Sequence, residues 1–108
     1  MAEFTLNEMQ QMQKALQDRY KHKWEPICPE IGQNKLLWMI GEIGEVIDIV
    51  KKHGGPEAAA DPNLRKDLVE EMADVLMYYN DVMLCYGITV EELKQTYTEK
   101  FQRNMNRW

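Results

Sequence analysis

The sequence predicts an all-α fold, an antiparallel bundle of about four helices, and three observations predict it. Apolar residues recur at helical rather than strand spacing along most of the 108-residue chain. Helix start and stop signals bracket those stretches: Thr5, Asp61-Pro62 and Thr89 before them, Gly54 and Gly87 after. The links between them are short, which favours antiparallel neighbours. No convincing strand, repeat or low-complexity segment interrupts the pattern.

The first helix opens with Thr5-Leu6-Asn7-Glu8, a capping box in which Thr5 is the N-cap and Glu8 reaches back. It is expected to run to about Lys21, with Leu6, Met9, Gln13, Leu16 and Tyr20 on one face. Residues 23–33, broken by Pro26, Pro29 and Gly32, read as a loop holding Trp24. The second helix is expected from about Gln33 to Lys52. Its apolar arc is Leu36, Met39, Ile40, Ile43, Val46, Ile47 and Val50, and Leu37 and Ile49 lie beyond that stripe. His53-Gly54-Gly55-Pro56 stops it as a turn, with Gly54 as the C-terminal cap.

Asp61-Pro62 announces the third helix, an N-cap followed by proline at the first helical position. It is expected to extend to about Tyr86, with Leu64, Leu68, Met72, Val75, Tyr79, Val82 and Met83 as its arc and Gly87 as the stop. The fourth helix begins at a second capping box, Thr89-Val90-Glu91-Glu92, and leads into the basic tail from Lys100 to Trp108.

Size and composition narrow the function. Residues 1–108 fit one domain with a modest core. The net charge of −5 argues against nucleic acid or an anionic membrane as the main partner. Cys28 and Cys85 have neither CxxC spacing nor a disulfide framework, so both read as reduced thiols, with Cys85 packed in a helix. That suits a reducing, cytoplasmic setting. The start of the chain lacks the basic and apolar regions of a signal peptide, and no apolar run is long enough to span a bilayer.

The chemistry lies in two acidic pairs. Glu42-Ile43-Gly44-Glu45 and Glu71-Met72-Ala73-Asp74 each place two carboxylates at i, i+3, on one side of a helix. In an antiparallel hairpin the two pairs fall at nearly the same height, about 3 Å apart along the axis at 1.5 Å per residue. If they face each other, four carboxylates can share a hard cation, and an all-oxygen set suits Mg²⁺, with Mn²⁺ as a substitute. A bound dication also explains how an acidic protein holds a phosphate substrate. Gly41 and Gly44, each unfavourable inside a helix, suggest close approach of a backbone or ligand there. A merely solvated acidic face is the plainer reading of one such pair, and less so of two at matched heights.

These residues are also similar to those of a known family. ExxE, about 25 residues and then ExxD resembles the signature of the all-α nucleoside triphosphate pyrophosphatases, the MazG-like superfamily. Asn34-Lys35-Leu36-Leu37 with Gly41–Glu45, the stretch Leu68–Tyr78, and Lys100-Phe101-Gln102-Arg103 resemble further family motifs, so the likeness covers about residues 24 to 108. It is nearest to the dCTP/dUTP pyrophosphatase-like branch, although Val50-Lys51-Lys52 stand where that branch has a tryptophan.

The resemblance implies a fold completed by oligomerisation, as a homodimer or homotetramer. It implies a hydrolase that converts a (d)NTP to the monophosphate and pyrophosphate, in keeping with nucleotide-pool house-cleaning. It implies Glu42, Glu45, Glu71 and Asp74 as Mg²⁺ ligands and catalytic groups. Trp24 would pack on the base, Tyr78 would lie beside the sugar, Asn34 belongs to the substrate-binding set, and Lys100 and Arg103 would contact phosphates. Two other readings compete: a non-catalytic helical dimerisation module, and a di-iron carboxylate bundle, which needs Glu-x-x-His motifs that this chain lacks.

Overall fold

A computed structural model describes residues 3–108, and their regular structure is entirely helical. In chain order the helices are α1 (Leu6–Arg19), α2 (Pro29–His53), α3 (Gly55–Ala60), α4 (Pro62–Cys85) and α5 (Val90–Met105). The predicted caps explain most of the boundaries. Thr5 Oγ1 accepts the Glu8 N–H at 3.2 Å, although Glu8 does not close the reciprocal half of the box. Asp61 Oδ2 accepts the Leu64 N–H at 3.0 Å, and Pro62 opens α4. Thr89 and Glu92 form the full reciprocal box at the start of α5. Gly54 caps α2 at φ +85°, a conformation that glycine adopts without steric cost.

Two boundaries differ from the sequence reading. α2 begins at Pro29, not near Gln33, because proline is favoured in the first helical turn, where its missing N–H costs nothing. Gly32 therefore does not break the chain; the ring of Tyr86 fills the space its side chain would take. The turn after α2 also winds into the short helix α3, which buries Ala58 against the rest of the chain. Gly41 and Gly44, in contrast, have open space where a side chain would sit, so no other described part of the chain approaches them closely there.

α2 and α4 form the central pair, with α1 and α3 packed on α4. Lys35 meets Asp81, Trp38 stacks on Tyr78 and Glu45 meets Glu71, so each step up α2 is matched by an equal step down α4. This is the antiparallel hairpin the acidic pairs require. Gln10 Nε2 ties α1 to the carbonyl of Ile88 in the link before α5.

The core is small. Ala58, Met83 and Cys85 are its fully buried apolar residues, which bears out the helical packing expected of Cys85. The apolar arc predicted for α2 exists but is largely uncovered: Ile40 is 61% exposed and Ile47 55%. On α4, Met72 and Leu76 are exposed as well. α5 buries no residue, and the fourth predicted helix is thus present but does not join the bundle within one chain. The radius of gyration, 16.3 Å, exceeds the roughly 13 Å expected for a compact chain of this length.

Met83 on α4 is 2% exposed, so Met83→Ala should cost about 2–4 kcal/mol through lost burial and an unfilled cavity. Denaturant unfolding at several protein concentrations measures this. The same midpoint for mutant and wild type would show that the contact contributes nothing.

Candidate active site

The antiparallel register brings the predicted acids together. Glu42 and Glu45 on α2 and Glu71 on α4 each offer a carboxylate oxygen, and these oxygens lie within 4.8 Å of one another. Asp74 stands one turn along α4 from Glu71 and lines the adjoining cleft. The Lys35–Asp81 contact is the one ion pair among the described residues, so the acidic trio has no cationic partner among them.

That crowding appears in the proton equilibrium of Glu71. Its carboxyl is raised from 4.5 to about 7, first by partial desolvation, then by a hydrogen bond with Glu42 and by the charges of Glu45, Glu42 and Asp74. Clustered carboxylates behave so when nothing neutralises them. The donor set, all oxygen and open on one side, fits a hard divalent cation. The phenol of Tyr78 is also held above its ordinary value, by desolvation and the neighbouring Glu42, Asp81 and Asp74, so it stays a hydrogen-bond donor.

Beyond the acids, toward the N-terminal end of α2, a cleft of about 410 Å³ opens between α1, α4 and the loop before α2. Trp24 forms part of its wall and stacks on Tyr20 with ring centroids 4.8 Å apart. Tyr78 and Asp74 line it from α4. Of the other predicted residues, Asn34 is exposed and donates to Glu25 at 3.0 Å, outside the cleft lining. Lys100 and Arg103 line one shallow groove on α5, and a single chain does not pack that helix against the acids.

The cleft floor holds a polar cluster absent from the residues predicted for the site. Asp81 is 2% exposed, and its Oδ1 accepts from Gln13 Nε2 at 2.8 Å and Gln17 Nε2 at 3.0 Å. Its Oδ2 faces Lys35 Nζ at 3.8 Å. A signal for this cluster exists in the sequence. Lys35 lies seven residues before Glu42, and Asp81 seven after Asp74, so each shares its helix face with the acids.

The model of the MazG nucleotide pyrophosphohydrolase domain matches residues 31–107. The chain belongs to the MazG nucleotide pyrophosphohydrolase family. The matched region takes in all four acids together with Asn34, Lys35, Tyr78, Asp81, Lys100 and Arg103, whereas α1 and Trp24 precede it. No curated protein and no solved structure gives a significant match. No helix among the described residues is long and apolar enough to cross a membrane.

The sign of the Glu71 shift leads to a measurable consequence. The unfolded carboxyl ionises near 4.5 and the folded one near 7, so between those values the folded state binds more protons than the unfolded. The metal-free protein should therefore lose stability as pH rises through that window. Mg²⁺ should reverse the loss and release protons on binding. Melting temperature against pH, with and without Mg²⁺, tests this, and Glu71→Gln should flatten the metal-free curve. A metal-free melting temperature that climbs across the window would contradict the assignment.

Proposed function

We propose that the protein is a Mg²⁺-dependent nucleoside triphosphate pyrophosphohydrolase that converts a (d)NTP to the monophosphate and pyrophosphate, a reaction suited to clearing nucleotide pools. The observation that carries this reading is the convergence of Glu42, Glu45 and Glu71 from two helices, with no cationic side chain among the described residues paired to them. Glu42, Glu45, Glu71 and Asp74 would hold the metal, with Mn²⁺ as a substitute. When bound there, the cation supplies neutralisation of the polyphosphate and a lowered pKa for a coordinated water.

The chain's own groups do the rest. One of the four carboxylates takes the proton of the attacking water. The water oxygen bonds to phosphorus as the bridge between the α and β phosphates breaks, and the group on the far side of that bridge leaves with the bridging oxygen. Attack at the α or the β phosphorus gives the same two products. Trp24 offers an aromatic face to the base, Tyr78 donates toward the sugar, and Asn34 braces the loop through Glu25.

Lys100 and Arg103 fit this scheme through a second copy of the chain. Their helix stands apart from the acids of its own chain, and apolar surface on α2, α4 and α5 remains uncovered. Exposed apolar area of this extent commonly marks an association surface. In a homodimer or homotetramer the partner's α5 would bring these cations to the phosphates. A non-catalytic dimerisation module would use the same apolar faces, but it gives no reason for the acids to cluster.

Glu71→Gln and Asp74→Asn should each abolish Mg²⁺-dependent pyrophosphate release while leaving the helical circular-dichroism signal unchanged. The measurement is pyrophosphate release over a panel of NTPs and dNTPs, and full activity in either variant would refute the ligand assignment. Completion of the site in trans has its own readout. Glu71→Gln and Lys100→Ala, each inactive alone, should recover part of the activity when unfolded and refolded together. No recovery, from subunits shown to have mixed, would place Lys100 in the same chain's site or outside it.

A further inference from the structure

The two cysteines take no part in the metal chemistry, yet the fold brings them together from distant parts of the sequence. Cys28 is the N-cap of α2, and Cys85 is the last residue of α4. Antiparallel packing sets these two helix ends side by side. Two contacts between the helices fix their level: Lys35 faces Asp81 at 3.8 Å, and the ring of Tyr86 lies over Gly32. Cys28 stands one turn before Gly32 and two before Lys35, on the same face of α2. Cys85 stands one turn after Asp81 on the same face of α4, and Tyr86 follows it. The cysteines therefore continue the seam at its outer end.

The surroundings of Cys85 agree with this placement. Burial pushes its thiol above the ordinary value, while a hydrogen bond from the Cys28 backbone and the nearby Lys35 ammonium draw it back, and the charges of Asp81 and of the Cys28 sulfur add to the rise. The Cys28 side chain has no structural task that accounts for it. Helix N-caps favour Ser, Thr, Asp or Asn, but Cys28 makes no side-chain cap bond. Its Sγ meets the Pro26 carbonyl at 4.0 Å and the Glu30 carboxylate. Both cysteines are free thiols in this structure.

We propose that Cys28 and Cys85 form a redox modification site, a thiol pair that a low-molecular-weight disulfide closes reversibly into a bond between α2 and α4. Cys28 is half-buried and is reached first, whereas Cys85 is 2% exposed and is shielded from the oxidant. The Cys28 thiolate attacks one sulfur of the oxidant, which forms a mixed disulfide and releases one small thiolate. The Cys85 thiolate then attacks Cys28 Sγ and displaces the second small thiolate. The two protein thiols lose two protons and two electrons, and the oxidant is reduced to two thiols. The new bond staples the start of α2 to the end of α4, at the foot of the loop that carries Trp24.

The experiment incubates the folded full-length protein with glutathione disulfide, then maps its peptides without reductant. Both thiols should disappear with no glutathione retained, and a Cys28–Cys85 peptide should come from a species that runs as a single chain in denaturing electrophoresis. The helical circular-dichroism signal should be unchanged. The melting temperature should rise by about 5 °C or more, because the bond closes a long loop without distorting the fold, and dithiothreitol should reverse the rise. Cys28→Ser, which keeps a good N-cap residue, should retain a free Cys85 thiol and show no rise. Two thiols that survive the oxidant, a glutathione adduct that persists on Cys28, a link between chains, or an internal disulfide that lowers the melting temperature would each overturn the proposal.

Discussion

The antiparallel register of α2 on α4 is the constraint from which the other features follow. One alignment of the two helices sets Lys35 against Asp81, Trp38 against Tyr78 and Glu45 against Glu71. Shifting one helix by a residue would rotate its facing side chains by about 100°, out of the seam. The acids could then neither crowd one another nor share a cation, and Asp81 would leave the glutamines of α1. The caps that define the two helices, Gly54 after α2 and Asp61 before α4, consequently act on the site as well as on the fold.

Along this seam the charge changes character. At one end three carboxylates lie together without compensation, and one of them keeps its proton to about 7. Two to three turns away along the two helices, a buried acid is held by two glutamines and faced by a lysine. A nucleotide has a matching asymmetry. Its phosphates need a dication before an acidic surface can accept them, and its base needs directional donors and acceptors. The exposed ring of Trp24 and the half-buried phenol of Tyr78 line the same cleft.

Much of this was legible in the residues. Helical spacing, the caps at Asp61 and Thr89, and the i, i+3 acid pairs gave the hairpin and brought Glu42, Glu45 and Glu71 to one level. What the spacing could not give was packing between non-neighbouring helices. Gln13 shares a face with apolar residues of α1, and only the crossing of α1 over α4 reveals that it meets a buried carboxylate. Lys35 looks like an ordinary surface lysine until that carboxylate lies opposite. Pro29 and Gly32 read as breakers because their local preferences are those of turns. In context Pro29 opens a helix and Gly32 makes room for Tyr86. Tertiary packing overrode local propensity at these sites.

Periodicity was also silent about where apolar faces find cover. The arc of α2 has the spacing of a buried stripe, yet Ile40 and Ile47 face outward in one chain. The small core cannot by itself offset the conformational entropy of ordering five helices. Helix propensity does not close the gap, because isolated helices the length of α5 are marginal in water. The capping box at Thr89 helps α5 start, and its Tyr97 and Phe101 need apolar contact for it to persist. The requirement for stability and the cations proposed to meet the phosphates thus fall on the same helix. A second copy that covers α5 would meet both, because the surface that buries Tyr97 and Phe101 fixes where Lys100 and Arg103 lie.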